Sequence, residues 1–208
     1  MWCCAPEWPS HAKHVAVEFV HPVIVGKRAL PAAPVEVRDL LDTLRSMSVS
    51  GDMLVVVGGA GDPVARAAVR RAPAWGLRSL WLGAGERPEA GAADHVLWLD
   101  GDVAAAAFGG GIVLLYHVLW ELTHVCFEHP GLLRDHAGSG ECTTDGEVCV
   151  TCADEGRLAE VVEAGPGEQA RVRTAAGLEG VDTTLIGTPQ VGDLVLVHAG
   201  SAVTLLED

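Results

Sequence analysis

The stretch Gly51-Asp-Met-Leu-Val-Val-Val-Gly-Gly-Ala-Gly-Asp-Pro63 joins an apolar strand to a glycine loop and the start of a helix. Its consecutive apolar residues, Met53–Val57, predict a strand that is buried in a sheet. Asp62 can cap the helix that follows, Pro63 suits its first turn, and Gly76 ends it. This strand–loop–helix order is typical of an α/β fold.

The same alternation continues on both sides of this stretch. Further strands are predicted at Val15–Val25, Ser79–Leu82 and His95–Leu99, and helices at Pro34–Met47, Pro63–Gly76 and Val103–Phe127. Strands that alternate with helices form parallel sheets with helices packed on them. Residues 1–134 are therefore expected to form a three-layer α/β domain.

The composition and the hydrophobic pattern of the sequence change after this domain. Residues 135–148 are small and polar at their start and are expected to form a linker. Five short strands are predicted within residues 149–208, at Arg157–Glu163, Gln169–Thr174, Val181–Ile186, Leu194–His198 and Ala202–Leu206. So many short strands in so few residues predict a small, partly open β-barrel.

Charge and hydropathy limit the classes of function. The net charge is −14, and the acidic excess is concentrated in residues 141–208. An acidic surface repels phosphate backbones, so nucleic-acid binding is not expected, whereas a basic protein partner would be attracted. The apolar run Val103–Trp120 is interrupted by Gly109–Gly111 and flanked by acidic residues, which favours a buried helix over a membrane span. No secretory signal opens the sequence, so a cytoplasmic location is expected.

Thiols and one histidine in the last third suggest a metal site. Cys149 and Cys152 have two-residue spacing, and His198 ends an apolar strand. Thiolates and imidazole are ligands for iron or zinc. Cys142 could add a third thiolate and complete a closed zinc site. If His198 binds metal, Asp193 is one candidate to hydrogen-bond the other ring nitrogen.

From Cys149 onward the sequence resembles the HypC/HupF family of hydrogenase-maturation chaperones. The resemblance lies in Cys152-Ala-Asp-Glu-Gly-Arg-Leu-Ala-Glu-Val161 and in Val191-Gly-Asp-Leu-Val-Leu-Val-His-Ala-Gly-Ser-Ala202. It implies a barrel similar to the OB-fold that carries iron with cyanide and carbon monoxide ligands. The family's essential cysteine then falls on Cys152, with Cys149 as the alternative, and its histidine falls on His198. The implied partners are a HypD-like maturation protein and the hydrogenase large subunit.

The first domain resembles the sugar isomerase (SIS) fold, in particular its phosphoheptose-isomerase branch. The resemblance lies in Gly51–Gly61, in Trp75–Gly83 and in Tyr116-His-Val-Leu-Trp-Glu-Leu122. It implies that His117 matches the catalytic histidine. The family's phosphate loop is rich in Ser and Thr, whereas Gly58, Gly59 and Gly61 leave only backbone N–H groups to hold an anion.

A second group of possible metal ligands lies near the N-terminus. It consists of two cysteines and three histidines: Cys3, Cys4, His11, His14 and His21. Their spacing is not specific for any one metal.

Together the two resemblances imply a cytoplasmic metallochaperone for nickel–iron hydrogenase, with the SIS-like domain as a scaffold that can form a homodimer. Iron is the expected metal, and no catalytic residue is needed. Two alternatives remain open: a phosphosugar isomerase with His117 as acid/base, and an interaction module built around structural zinc.

Overall fold

The computed structural model describes residues 1–102, 106, 110–130, 132 and 156–206. It divides the chain into two units. The first consists of residues 1–70 and 78–138, and we call it the α/β unit. The second consists of residues 71–77 and 139–208, and we call it the barrel unit.

The α/β unit contains a five-stranded sheet in which every neighbouring pair is parallel. Its strands are β1 (Trp2–Cys4), β2 (Ala33–Pro34), β3 (Met53–Val57), β4 (Arg78–Ala84) and β5 (His95–Leu99). They lie in the order β2-β1-β3-β4-β5. The predicted parallel α/β sheet is confirmed. In this order the connections reverse direction between β1 and β3, and ligands of such folds bind at the carboxyl ends of the strands near that point.

Four helices with bounds inside the described ranges accompany the sheet: α1 (Pro9–Val20), α2 (Leu40–Met47), α3 (Pro63–Arg71) and α4 (Gly111–Glu128). Short 3-10 turns precede α2 and follow α3. Helices α1 and α4 share one hydrophobic core with β1, β3 and β4. On β3, Val55 and Val57 belong to this core, while Leu54 and Val56 are buried on the opposite face. A strand that is buried on both faces needs cover on both sides of the sheet.

The strand predicted at Val15–Val25 is wrong, because most of this stretch belongs to α1. Pro9 occupies the first turn of the helix, a start signal that was missed. The buried side chains of α1 recur at helical spacing, namely His11, Ala12, Val15, Ala16 and Phe19. Valine-rich segments favour strands locally, but packing of one helical face against the sheet overrides that weak preference.

Helix α4 was predicted to begin at Val103, but residues 103–105 and 107–109 lie outside the described part of the chain. It begins at Gly111, after Gly110 in a left-handed conformation with φ of 86°. Its buried stripe is Ile112, Tyr116, Trp120 and His124. Among the helices in the described ranges, none has both the length and the apolar character needed to cross a bilayer.

The barrel unit contains a closed barrel of five strands. They are β6 (Arg157–Ala164), β7 (Gln169–Thr174), β8 (Gly177–Asp182), β9 (Leu194–His198) and β10 (Ser201–Leu206). The strands close in the order β10-β8-β7-β6-β9 around a core of small and branched apolar side chains. The predicted five-stranded barrel is confirmed, but the expectation that it is partly open is wrong, because β10 pairs with both β8 and β9 and closes it.

One barrel strand was predicted in the wrong place. The prediction was Val181–Ile186, whereas β8 begins at Gly177. Thr174 pairs with Gly177, so a two-residue turn starts β8 directly after β7. Hairpin pairing with β7 fixes the register of β8 and leaves Ile186 in a turn closed by its N–H bond to the Thr183 carbonyl oxygen.

Candidate functional site

The predicted metal ligands of the barrel are only partly described. Cys142, Cys149 and Cys152 lie outside the described residues. His198 is described and ends β9, where it is half-buried. The proposed thiolate–imidazole site therefore remains a prediction.

A tight hairpin holds His198 at one end of the barrel. His198 pairs with Ser201 across the two-residue turn Ala199–Gly200, in which both φ angles are positive at 47° and 82°. Such a turn matches the twist of the two strands that it joins. The backbone N–H of Asp182 donates to the Gly200 carbonyl oxygen at 2.9 Å, which ties the turn to β8. The backbone that carries His198 is thus fixed by three strands.

Asp193 does not hydrogen-bond the His198 ring, contrary to one expectation. It lies just before the other end of β9, about 16 Å away for five extended residues. Its carboxylate instead accepts a hydrogen bond from the Gln190 backbone N–H at 2.7 Å.

The glycine loop after β3 is already occupied by a carboxylate. Asp62 Oδ1 accepts hydrogen bonds from the backbone N–H groups of Val64 and Ala65, at 2.8 and 3.0 Å, as the capping signal predicted. The other oxygen of Asp62 is buried and has no hydrogen-bond partner among the described residues. This negative charge opposes binding of an anion at the start of α3. Anion binding by Gly58, Gly59 and Gly61 stays a prediction, and the carboxylate of Asp62 at the same loop argues against it.

Close packing also fixes the glycine loop. The indole N–H of Trp81 donates to the Gly58 carbonyl oxygen at 3.1 Å. A Cβ atom at Gly83 would lie 2.5 Å from that same oxygen and would overlap the ring of Trp98. Position 83 therefore requires glycine because backbone and indole approach it closely.

A pocket of about 540 Å³ lies beside this loop. Its charged lining consists of three arginines and two glutamates: Arg66, Arg70, Arg87, Glu86 and Glu89. Charges of both signs around an open pocket define no ligand class.

Among the described residues, the most organised group of polar side chains lies between α1 and α4. His14 and Glu18 are one turn apart on α1, and His117 lies on α4. The indole N–H of Trp120 donates to the Glu18 carbonyl oxygen at 2.9 Å, which joins the two helices at this level. The side chains therefore meet across a helix pair with a shared core. We call His14, Glu18 and His117 the histidine–glutamate cluster.

Three ligand atoms converge in the histidine–glutamate cluster. His14 Nε2 lies 3.2 Å from Glu18 Oε1 and 3.3 Å from His117 Nε2. The third side of the triangle, from His117 Nε2 to Glu18 Oε1, measures 3.7 Å. In a tetrahedral zinc site with metal–ligand distances of about 2.0–2.1 Å, ligand atoms lie about 3.3 Å apart. The triangle fits three ligands of one zinc-sized ion.

Exposure differs among the three side chains. The Glu18 side chain is 16% exposed, whereas His14 and His117 are 39% and 45% exposed. The carboxylate is thus held inside the helix pair, and both imidazoles line its open side. The two imidazoles are therefore accessible to solvent, and the carboxylate is accessible only in part.

Tyr116 lies directly behind the cluster. Its hydroxyl is 2.6 Å from His14 Nδ1, and its side chain is almost completely buried. Burial, and secondly the negative charge of Glu18, raises the pKa of Tyr116 to about 12. The phenol therefore keeps its proton throughout the neutral range.

The structure separates the other members of the N-terminal group from the cluster. Cys3 and Cys4 are buried in β1, where burial raises the pKa of Cys3 to about 12 and that of Cys4 further still. A thiol that resists ionisation is a poor metal ligand. His11 is buried, with its ring edge-on to Trp8 and Tyr116.

Sequence reasoning identified His117 and His14 separately and missed Glu18. Residues four apart on a helix lie on one face, so the spacing of His14 and Glu18 was a usable signal. It was lost because a strand was predicted from Val15 onward, and a strand places these residues differently.

Comparison with known proteins adds no relative. The sequence matches no protein-family model and no curated protein. The class is therefore set by structure alone: a parallel α/β unit with a histidine–glutamate cluster, followed by a five-stranded barrel.

Proposed function

We propose that the chain is an accessory protein of nickel–iron hydrogenase maturation and that its barrel carries the iron unit. One observation supports this most directly. Arg157 pairs with Val197, so the chain enters β6 at Gly156, opposite His198. Cys152 precedes Gly156 by only four residues in the sequence. A thiolate and an imidazole within reach of one iron are what the resemblance to HypC/HupF proteins requires.

The proposed mechanism is coordination followed by ligand exchange. The thiolate of Cys152, or of Cys149, binds the iron that bears cyanide and carbon monoxide, and His198 assists from the hairpin. A HypD-like protein delivers the iron, and the hydrogenase large subunit receives it. The acidic excess of residues 141–208 would steer partners with basic surfaces toward the barrel. In this proposal the barrel is similar to the OB-fold.

Metal analysis of protein purified without oxygen tests this function. Stoichiometric iron that is lost in Cys152→Ala supports the iron carrier. Stoichiometric zinc that is retained in Cys152→Ala contradicts it and favours the zinc-based interaction module. Cys126→Ala is the matched control, because Cys126 is a half-buried thiol of α4 outside the proposed site.

The α/β unit is proposed to have the SIS fold and to act as a dimerisation scaffold. Leu114, Val118 and Leu122 are exposed and recur every four residues on α4. Such a stripe can pair with itself across a two-fold axis, because the same patch serves both subunits. Light scattering should show a dimer for the wild type and a monomer for Val118→Glu. A monomeric wild type contradicts this part of the proposal.

A second function, isomerisation by the α/β unit, is favoured by the histidine–glutamate cluster. Glu18 Oε1 and His117 Nε2 lie 3.7 Å apart, so they can reach neighbouring atoms of one substrate. Glu18 would remove a proton from carbon next to a carbonyl group, and protonated His117 would donate a proton to the carbonyl oxygen. A positioned acid or base of this kind typically raises the reaction rate about 10²–10⁴-fold. The substrate class implied by the SIS resemblance is a phosphosugar.

Conversion of sedoheptulose 7-phosphate tests the second function. Activity that falls by about 10² or more in both Glu18→Gln and His117→Ala supports it. His95→Ala is the control, since His95 is an exposed histidine at the start of β5. Loss of activity in the control, or wild-type protein without turnover, contradicts it.

A further inference from the structure

Tyr116 is the one tyrosine of the chain and lies at the centre of a group of histidine rings. Its ring centroid is 5.1 Å from that of His14 and 5.4 Å from that of His117. Its hydroxyl oxygen is 2.6 Å from His14 Nδ1, which is the shortest of the hydrogen bonds within this group. The phenol hydroxyl therefore contacts Nδ1 of His14, whereas Nε2 of the same ring contacts Glu18 and His117.

The hydrogen-bond partners of His14 determine which nitrogen carries the proton. The Glu18 carboxylate only accepts hydrogen bonds, so His14 Nε2 must donate to it across 3.2 Å. In the neutral ring Nδ1 then has a lone pair, and the Tyr116 hydroxyl donates to it. When Nε2 instead binds a cation, its proton must leave and Nδ1 must carry the ring proton. The same hydroxyl oxygen can then accept from Nδ1–H.

We propose that Tyr116 is a positioning residue for His14, because its hydroxyl holds the ring with Nε2 toward Glu18 and His117 and pairs with Nδ1 in either tautomer. The proposal rests on the histidine–glutamate cluster as the working site of the second function. A ligating histidine generally has its other nitrogen bonded by a group of this kind, and loss of that group costs about 10–100-fold in affinity.

The first test uses metal-free protein and the Tyr116→Phe variant. The ring shape is kept, and only the hydroxyl is removed. In two-bond ¹H–¹⁵N spectra of the histidine side chains, we expect a change at His14 Nδ1 and an unchanged, protonated Nε2. The His14→Asn variant assigns the signal among the nine histidines. An unchanged Nδ1 signal in Tyr116→Phe overturns the proposal, whether or not the cluster binds any ligand.

The second test uses zinc as the probe and the single tyrosine as the reporter. Cys142, Cys149 and Cys152 are replaced by serine, so that thiolates do not compete for the ion. Zinc should move the ¹³Cζ signal of Tyr116, as its hydroxyl changes from donor to acceptor. Tyr116→Phe should weaken zinc binding about 10–100-fold in a protein that remains folded.

The outcomes separate the proposal from the function on which it rests. Zinc that shifts the His14 and His117 signals but leaves the tyrosine signal still, or equal affinity in Tyr116→Phe, overturns the role of Tyr116. Wild-type protein that does not turn over a phosphosugar rejects the second function, while the metal-free spectra still decide the hydrogen bond. His95→Ala should match the wild type in every measurement.

Discussion

Replacing His117 by alanine removes one of the three ligand atoms of the histidine–glutamate cluster. The triangle of 3.2, 3.3 and 3.7 Å needs little rearrangement to hold zinc, so each ligand should contribute nearly its full share. Four-ligand structural zinc sites are worth about 10–16 kcal/mol, which is about 3 kcal/mol for each ligand. The His117→Ala variant should therefore bind zinc about 100-fold more weakly than the wild type.

Competition with a chromophoric chelator measures this affinity in the background without Cys142, Cys149 and Cys152. Thermal unfolding gives an independent reading, because zinc at about one hundred times its Kd stabilises a protein by about 2.7 kcal/mol. The His95→Ala control should keep both effects. Equal zinc affinity in His117→Ala and the wild type, or equal losses in His117→Ala and His95→Ala, would refute the geometry of the cluster.

Three further outcomes concern the scaffold around the sites. Gly83→Ala should destabilise the protein by about 3 kcal/mol or prevent folding, because the added methyl group overlaps the Gly58 carbonyl and the Trp98 ring. Denaturant unfolding measures the loss of stability, and a loss below about 1 kcal/mol would contradict this packing. Asp62→Ala should cost about 1 kcal/mol through loss of the helix cap, and phosphate should stabilise this variant more than the wild type. Burial opposes ionisation of Asp94, but hydrogen bonds from Ser79 and the charge of Arg78 hold the pKa of Asp94 below the ordinary 3.8. The ionised carboxylate therefore stabilises the fold above pH 3.8, and this stabilisation is lost as the pH falls through the lower pKa of the folded state. Acid unfolding of Asp94→Asn should begin at higher pH than that of the wild type, and coincident curves would contradict this.

The parts of the fold with strong local signals could be predicted from the sequence. Asp62 and Pro63 mark the start of α3, and the apolar run of β3 fits only a buried strand. The bounds of β9 were predicted without error, because an apolar run there ends at a polar turn.

Elements that depend on tertiary pairing could not be predicted in this way. Strand β1 has three residues and is defined by pairing with β2 and β3 on either side. Helix α1 is valine-rich, and its local helix signals, Pro9 and the spacing of His14 and Glu18, are weaker than the packing of its buried face on the sheet. The start of β8 depends on its hairpin with β7.

The candidate site also combines a residue with a local sequence signal and residues that depend on tertiary contacts. His117 was found by resemblance of a local motif, whereas Glu18 and His14 join it through the contact between α1 and α4. Residues about 100 positions apart in sequence come together there, as the bond from Tyr116 to His14 shows. No local pattern encodes that meeting.

Infrared spectroscopy of the chain, purified without oxygen together with a HypD-like partner, tests the proposed maturation function most directly. The account predicts bands in the cyanide and carbonyl region that are lost in Cys152→Ala, weakened in His198→Ala and retained in Cys126→Ala. Absence of these bands, with stoichiometric zinc that survives Cys152→Ala, would contradict it.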